Sequence, residues 1–379
     1  MKKIAIIGAG ISGLFIANLF KKNSNYDVTV YEKNSSINLE EGYGIQLSVN
    51  SIKHLNQIEF KNFKNENKFN PDKIIFYSKK NSKKICDLNI SDFNLKDCKY
   101  TTLKRSDLIS FLKKDLHNTI LTNHNISKIV QENQNIKLTF ENNKTSECDF
   151  LIVSDGVFSK SKNLILSHQN KPKFNNTLAV RGIIPNSPKF DCNNISLFLG
   201  PDFHYVVYPI NKNRDLNFIA IMKYNLSIDE QKNYSLFNDA NFVKRILDDV
   251  PSNMREIFNK VDKLKIFPVF VSHNFLKTKN SKIHFIGDAF FAFPPSFAQG
   301  ASQSIEGAYE LYKSINNNTE NSFFENRINK TKMVNRRSKF NQFMFHLSNP
   351  LNIFFRNIFL KRLVKNKKFL ESYLGRIYR

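Results

Sequence analysis

The stretch IAIIGAGISGLFIANLFKKNSNYDVTVYE, residues 4–32, constrains the fold of this 379-residue chain more than any other. Four apolar residues, Ile4, Ala5, Ile6 and Ile7, run into Gly8, Gly10 and Gly13, and apolar positions at helical spacing follow at Ile16, Leu19 and Phe20. A polar turn leads to a second apolar run that ends at Tyr31 and is closed by Glu32. Strand, glycine-rich turn, helix, strand and acid is the order a dinucleotide-binding fold needs. Gly8 permits the tight turn off the strand, Gly10 lets a pyrophosphate reach the backbone because no Cβ intervenes, and Gly13 lets the helix pack on the sheet. The N–H groups at the helix start then face the phosphates, and the helix dipole favours their charge. Glu32, 19 residues beyond Gly13, stands at the offset of a carboxylate that accepts a ribose hydroxyl.

The same residues follow Lys2 and Lys3 and so also read as a secretory signal. Three glycines, Asn18 and the acid-terminated strand oppose that reading, and the stretch is expected in the folded protein. With 41% hydrophobic residues and 36 phenylalanines, the chain can bury the core of two domains or of one interleaved unit. No run of about 20 apolar residues is present, so no membrane-spanning helix is expected. Cys86, Cys98, Cys148 and Cys192 lie far apart without a Cys-x-x-Cys pair, which predicts free thiols in a reducing, cytoplasmic compartment. The eight histidines show no ligand spacing, so no metal is expected. A net charge of +24 raises a nucleic-acid partner, but the lysines are spread through the chain without a groove-reading motif. No nucleic acid is therefore expected; anionic substrates or an anionic membrane surface suit such a field better.

Along the chain, GYGIQLSVNSIKHL from Gly42 reads as a glycine-rich loop before a short helix with Asn50 as N-cap. Residues 73–90 read as a hairpin. A helix follows with Arg105 at its head and Ser106 as cap, and Arg105 can be either a phosphate ligand or a solvated surface residue. Strands are expected near Thr119, over residues 137–140 and over 149–153, the last running into Ser154, Asp155 and Gly156. Residues 177–222 change to β-rich runs that predict a separate antiparallel sheet, followed by a helical stretch over 239–258 and a strand over 263–271. The first fold resumes with IHFIGDAFFAFPPSFAQGA and a helix from about Gly300, so the nucleotide domain comes from both chain ends and the sheet domain is an insertion. From about Ser322 the pattern is helical and basic. LNIFFRNIFLKRLVKNKKFL reads as apolar on one side and cationic on the other, fitting a helix on the membrane surface or one packed on its own protein.

Taken together, GAGISG, GYGIQLSVN, LKRSDL, SDGVFSK, VRGIIP, GPDFHYVVYPI, GDA with FAQGA, and the basic C-terminal helices resemble the FAD-dependent aromatic hydroxylases. These are the flavoprotein monooxygenases of the para-hydroxybenzoate hydroxylase fold, and the chain is most similar to their salicylate hydroxylase branch. The resemblance implies an α/β chain: a Rossmann-type FAD-binding domain from residues 1–72, 100–170 and 281–320, an antiparallel-sheet substrate domain from 73–99 and 171–280, and basic helices over 321–379. It implies that Gly8, Gly10, Ser12, Gly13, Glu32, Lys33, Gln46, Arg105, Ile126, Asp155, Gly156, Gly287, Asp288, Gly300 and Ala301 hold FAD. Of these, Asp288 would meet the ribityl chain, and the N–H groups of Gly300 and Ala301 the anionic end of the reduced ring.

Pro295 would flank flavin and substrate, while Arg181, His204 and Tyr208 are candidates to orient a carboxylate or deprotonate a phenol. The implied reaction uses NAD(P)H and O2 to hydroxylate a small phenolic or benzoate-like ring through a flavin C4a-hydroperoxide. Three departures stand against the family pattern: Phe290 and Phe291 replace Ala-His after GDA, Gly307 replaces an acid, and Lys162 replaces Arg. They keep open a flavin reductase or oxidase acting on a lipid or isoprenoid at the inner membrane face, and a degenerate flavin-binding redox protein.

Overall fold

An apolar strand that must turn within one residue and re-enter as a helix leaves little freedom, and the opening stretch folds accordingly. In the computed structural model, β1 (Lys2–Ile7), α1 (Ile11–Lys21) and β2 (Tyr26–Tyr31) follow one another directly. The structure describes residues 1–37, 39, 43–80, 82–132, 135–166, 171–184, 190–249 and 262–378. Gly42 and residues 250–258 of the expected helical stretch lie outside the described residues. Leu14, Phe15 and Ile16 have no exposed surface, each stabilising the fold by about 1.5 to 3 kcal/mol, so the stretch that also read as a signal is core.

Next in chain order come β3 (Gly44–Leu47), α2 (Val49–Leu55), β4 (Lys68–Phe69), β5 (Lys73–Ser78), β6 (Lys84–Asn89), β7 (Thr101–Lys104), α3 (Arg105–Lys113) and β8 (Ile120–Leu121). β9 (Ile126–Glu132), β10 (Asn135–Phe140) and β11 (Thr145–Cys148) form an antiparallel sheet of three, of which only β10 was expected. β12 (Phe150–Val153) and α4 (Lys160–Leu166) lead to β13 (Lys173–Ile184), β14 (Ile195–Gly200), β15 (Phe203–Pro209) and β16 (Leu216–Lys223). α5 (Ile228–Lys232), α6 (Ala240–Asp249), β17 (Asp262–Val271), β18 (Ile283–Phe285), α7 (Gly300–Asn316), α8 (Phe323–Phe345) and α9 (Pro350–Leu363) complete the series before the short helical turns of the C-terminus.

The first sheet is parallel throughout, in the order β18, β12, β1, β2, β8. Strands from residue 2 and from residue 283 share it, so both chain ends build one Rossmann-type unit. The inserted sheet has seven strands, ordered β17, β13, β16, β15, β14, β5, β6. It is antiparallel except where the hairpin β5–β6 joins it through the parallel pair β14 and β5. Alternation along β15 sends Phe203, Tyr205 and Val207 into a core shared with Phe237, Phe242 and Ile246, and leaves His204, Val206 and Tyr208 on the other face. Val334, Phe345, Leu374, Ile377 and Tyr378 from the C-terminal helices pack over that other face.

Three local expectations are corrected. The N-cap of α2 is Ser48, in extended conformation, while Asn50 lies inside the helix with its amide donated to Glu306. β7 stays paired with β3 as far as Lys104, which becomes the N-cap of α3 and leaves Ser106 within the first turn. Finally, α9 does not separate apolar and charged faces: Arg356 is buried, while Phe354, Phe355 and Phe359 are exposed. Among the described residues no helix is long and apolar enough to cross a membrane.

Candidate active site

Parallel sheets collect ligands at the carboxyl ends of their strands, and here Gly8, Glu32, Ser154 and Gly287 follow β1, β2, β12 and β18 at one edge. Gly8 has φ +101°, and a Cβ there would come within 2.7 Å of the Ser154 carbonyl oxygen. At Gly13 a Cβ would lie 2.1 Å from the Gly8 carbonyl oxygen. A Cβ at Gly10 would meet nothing within 4 Å. Two glycines of the turn are thus fixed by protein packing, whereas the third faces open space in front of α1. Glu32 accepts hydrogen bonds from Ala9 N and Asn34 N, both at 3.0 Å, which holds its carboxylate over the turn. Ser12 packs against Gly287, Lys33 is exposed, and the Ile126 side chain is buried among Ala5, Ile7 and Tyr31.

Beyond β12, Asp155 Oδ2 accepts from Ser161 N at 3.1 Å, whereas Asp155 Oδ1 is buried with no partner among the described residues. Lys162 is 5% exposed, and its charge is shared by Asp155 and Asp288. Burial pushes the Asp288 carboxyl up, and Lys162 and Arg105 pull it back. Asp288 is nevertheless exposed, because its open surface faces an internal cleft. Arg105 therefore acts on Asp288 at the edge of this cleft.

The cleft is a cavity of about 390 Å³ between the two sheets. From the Rossmann side it is lined by Gln46, Asp288, Pro295, Gly300 and Ala301, and from the seven-stranded sheet by Arg181, His204 and Tyr208. Residues more than 250 positions apart are brought to one space in this way, while Ile74, Phe76, Leu88 and Leu197 make most of it apolar. Tyr100 Oη donates to Gln46 Oε1 at 2.8 Å. Burial raises the Tyr208 phenol, with Arg181 and Gln46 opposing, so Tyr208 stays protonated and donates. His204 Nδ1 lies 2.8 Å from His346 Nε2, and burial followed by His346 holds His204 well below its ordinary range.

Tyr100, Asn341 and His346 were missed by sequence reasoning. His346 is 142 residues from its partner and no local pattern marks it. Its Nδ1 is buried without a partner among the described residues, and burial lowers its pKa to about 4. A depressed histidine contributes stability that is full above the unfolded pKa near 6.5 and is lost as pH falls towards 4. The denaturation midpoint is accordingly expected to fall between pH 7 and pH 5, and His346→Gln should remove roughly 2 kcal/mol of that dependence in urea titrations.

The departures from the family pattern also have physical accounts. Phe291 is buried, stacked on Phe275 at 4.3 Å, and Phe290 meets Phe323 and Phe324 and anchors the start of α8. A Cβ at Gly307 would come within 3.1 Å of Arg327 Nε; glycine leaves room for the guanidinium, which pairs with Glu306 and Glu310.

The residues present fit a dinucleotide. Open space over Gly10 beyond β1, the unpartnered Asp155 oxygen beyond β12, and Asp288 beyond β18 in the field of Lys162 and Arg105 lie at the carboxyl ends of the parallel strands, and Gly300 opens onto the adjoining cleft.

Comparisons with known proteins bear on the fold. Residues 6–39 match the model of an NAD(P)-binding Rossmann-like domain. The chain is 25% identical over 338 residues to a 6-hydroxynicotinate 3-monooxygenase of Pseudomonas fluorescens, covering 83% of this chain and 82% of that protein. It is 22% identical over 344 residues to a salicylate hydroxylase of Pseudomonas putida, covering 82% and 75% of the two. In fold it is similar to Klebsiella pneumoniae HpxO complexed with FAD and uric acid, with TM-score 0.84, 14% identity and coverage of 99% and 97%. A salicylate hydroxylase substrate complex superposes with TM-score 0.78 and 18% identity over 100% of this chain and 95% of that one.

Proposed function

We propose that this chain, an oxidoreductase related in sequence and fold to the FAD-dependent monooxygenases, binds FAD and uses NAD(P)H and O2 to hydroxylate a small aromatic acid or phenol. The observation that carries the reading is the meeting of Asp288, Pro295, Gly300 and Ala301 with Arg181, His204 and Tyr208 on one largely apolar cavity. Bound FAD supplies the redox chemistry, taking electrons from NAD(P)H and activating O2 for transfer of one oxygen atom to the ring.

The chain's own residues bind and orient. Gly10 and the first turn of α1 receive the pyrophosphate, Glu32 accepts from the ribose, and Arg105 neutralises phosphate charge. Asp288 accepts from the polyol linker, and its shared field with Lys162 keeps it in place. The N-terminus of the 17-residue helix α7 would offer N–H groups to the part of the flavin ring that takes up negative charge, worth roughly 0.3 to 2 kcal/mol. Pro295 and the apolar wall exclude water. Arg181 meets the substrate's carboxylate or phenolate and Tyr208 donates a hydrogen bond to it. His204 and its partner His346 are both held neutral and are weak bases at neutral pH, so substrate proton loss is assigned to solvent.

The test is the visible spectrum of the purified protein, followed by NADH or NADPH oxidation with and without hydroxybenzoates and hydroxypyridines. Flavin bands, ring-dependent cofactor oxidation and a product heavier by one oxygen support the reading. A flavin that no donor reduces would sink it and leave a binding protein. With an active substrate in hand, Arg181→Leu is expected to raise KM at least about tenfold while leaving the flavin spectrum unchanged, from the loss of a charge-assisted bond.

A further inference from the structure

The outer surface is not evenly polar. Of thirteen large hydrophobic side chains exposed among the described residues, seven fall between residues 340 and 359. Five of them, Leu351, Phe354, Phe355, Ile358 and Phe359, follow one another on α9 at spacings that place them around its outer face. Their exposures run from 36% to 62%. The inner face holds Arg356, 3% exposed, whose guanidinium donates to Asn357 Oδ1 and the Met344 carbonyl oxygen. Leu360 and Leu363 also face inward, so a helix that already has apolar contacts inside turns a further row of aromatics to the outside, which water does not select.

We infer that the outer face of α9 docks on an anionic lipid bilayer. Charge chooses this occupant. Lys361 and Arg362 follow the apolar residues on the same exposed face, and Lys365, Lys367 and Lys368 are exposed in the next turns. Between residues 350 and 379 the only acid is Glu371. A second copy placed on this face would bring like charges together on a chain of net charge +24, whereas anionic headgroups neutralise them. The phenylalanines then enter the boundary between headgroups and acyl chains. The docked face also lies one helix away from the cavity, since Phe359, Leu360 and Leu363 of α9 form part of its wall. An apolar ring substrate held in the bilayer would thus be close to the space where it is used. Membrane docking does not depend on the hydroxylase reading, and either can fail alone.

Flotation with vesicles tests it, using the 379-residue protein as purified, phosphatidylcholine alone, and phosphatidylcholine with roughly one-third phosphatidylglycerol. The protein is expected to float with the anionic vesicles at low salt, to release at about 1 M salt, and to remain free of neutral ones. Phe354→Asn with Phe355→Asn, and separately Lys361→Glu with Arg362→Glu, should each weaken binding at least about tenfold while melting temperature and flavin spectrum stay those of the parent. Failure of the folded parent to float with anionic vesicles would overturn the inference. So would unchanged binding by the Phe354→Asn, Phe355→Asn protein, or a parent dimer that this variant converts to monomer.

Discussion

A Gly10→Leu protein is expected to fold like the parent and to purify without flavin, its affinity for FAD lowered at least about a hundredfold, or some 3 kcal/mol. Gly10 has φ −83° and ψ −174°, a backbone that any residue adopts. A Cβ there meets no protein atom within 4 Å, so the larger side chain is accommodated by the polypeptide itself. What it fills is the approach to the N-terminus of α1, where a pyrophosphate has to touch backbone N–H groups. Gly13→Ala is the control for the opposite cause. Its Cβ would lie 2.1 Å from the Gly8 carbonyl oxygen, so α1 must move off the sheet and stability falls with cofactor binding. Flavin absorbance per mole of protein, read beside a urea melt, separates the two. If Gly10→Leu retains stoichiometric flavin, the pyrophosphate is not held at this turn.

Glu306→Ala is expected to cost about 3 to 5 kcal/mol of unfolding free energy. Glu306 is 4% exposed and faces Arg327 and Lys330 from α8 and the Asn50 amide from α2. Burial alone would raise its carboxyl, but Arg327 and Lys330 outweigh burial and hold it below its ordinary range. Removing it leaves a buried guanidinium leaning on Glu310 and Gln303 and the Asn50 amide without its acceptor, while the Gln303 amide keeps only Gln299 Oε1. Because the folded pKa is depressed, this contribution is present above the unfolded value near 4.5 and is lost as pH falls through the folded one. Glu306→Gln keeps an acceptor and should cost less than Ala, with a flatter stability profile below about pH 4.5. Equal stability of parent and Glu306→Ala in urea would mean that α7 and α8 are held by apolar packing alone.

Much of the fold was legible because its signals are local. The turn at Gly8, Gly10 and Gly13 carries its own strand and helix, and β5–β6 and β13–β16 carry their own alternation. Errors arose where a neighbour overruled local preference. Asn50 is a good cap in isolation, but Glu306 from α7 offers its amide a charged acceptor and Ser48 is left at the cap. Ser106 lost the cap because β3 keeps β7 extended to the last residue before the helix. The short strands of the three-stranded sheet gain their place from pairing, which no single strand announces.

By itself the sequence determined that β1, a glycine turn and α1 form a nucleotide edge, since φ, the missing Cβ and apolar period are properties of consecutive residues. It also supplied the candidates that line the cavity, from Gln46 to Ala301. Only the tertiary structure decided which of them share a space. It put Lys162 in the field of Asp155 and Asp288, paired His204 with His346, and turned the phenylalanines of α9 outward. Those outcomes depend on burial and on charges contributed by other elements, and both are set when distant segments pack, not by the order of residues within any one of them.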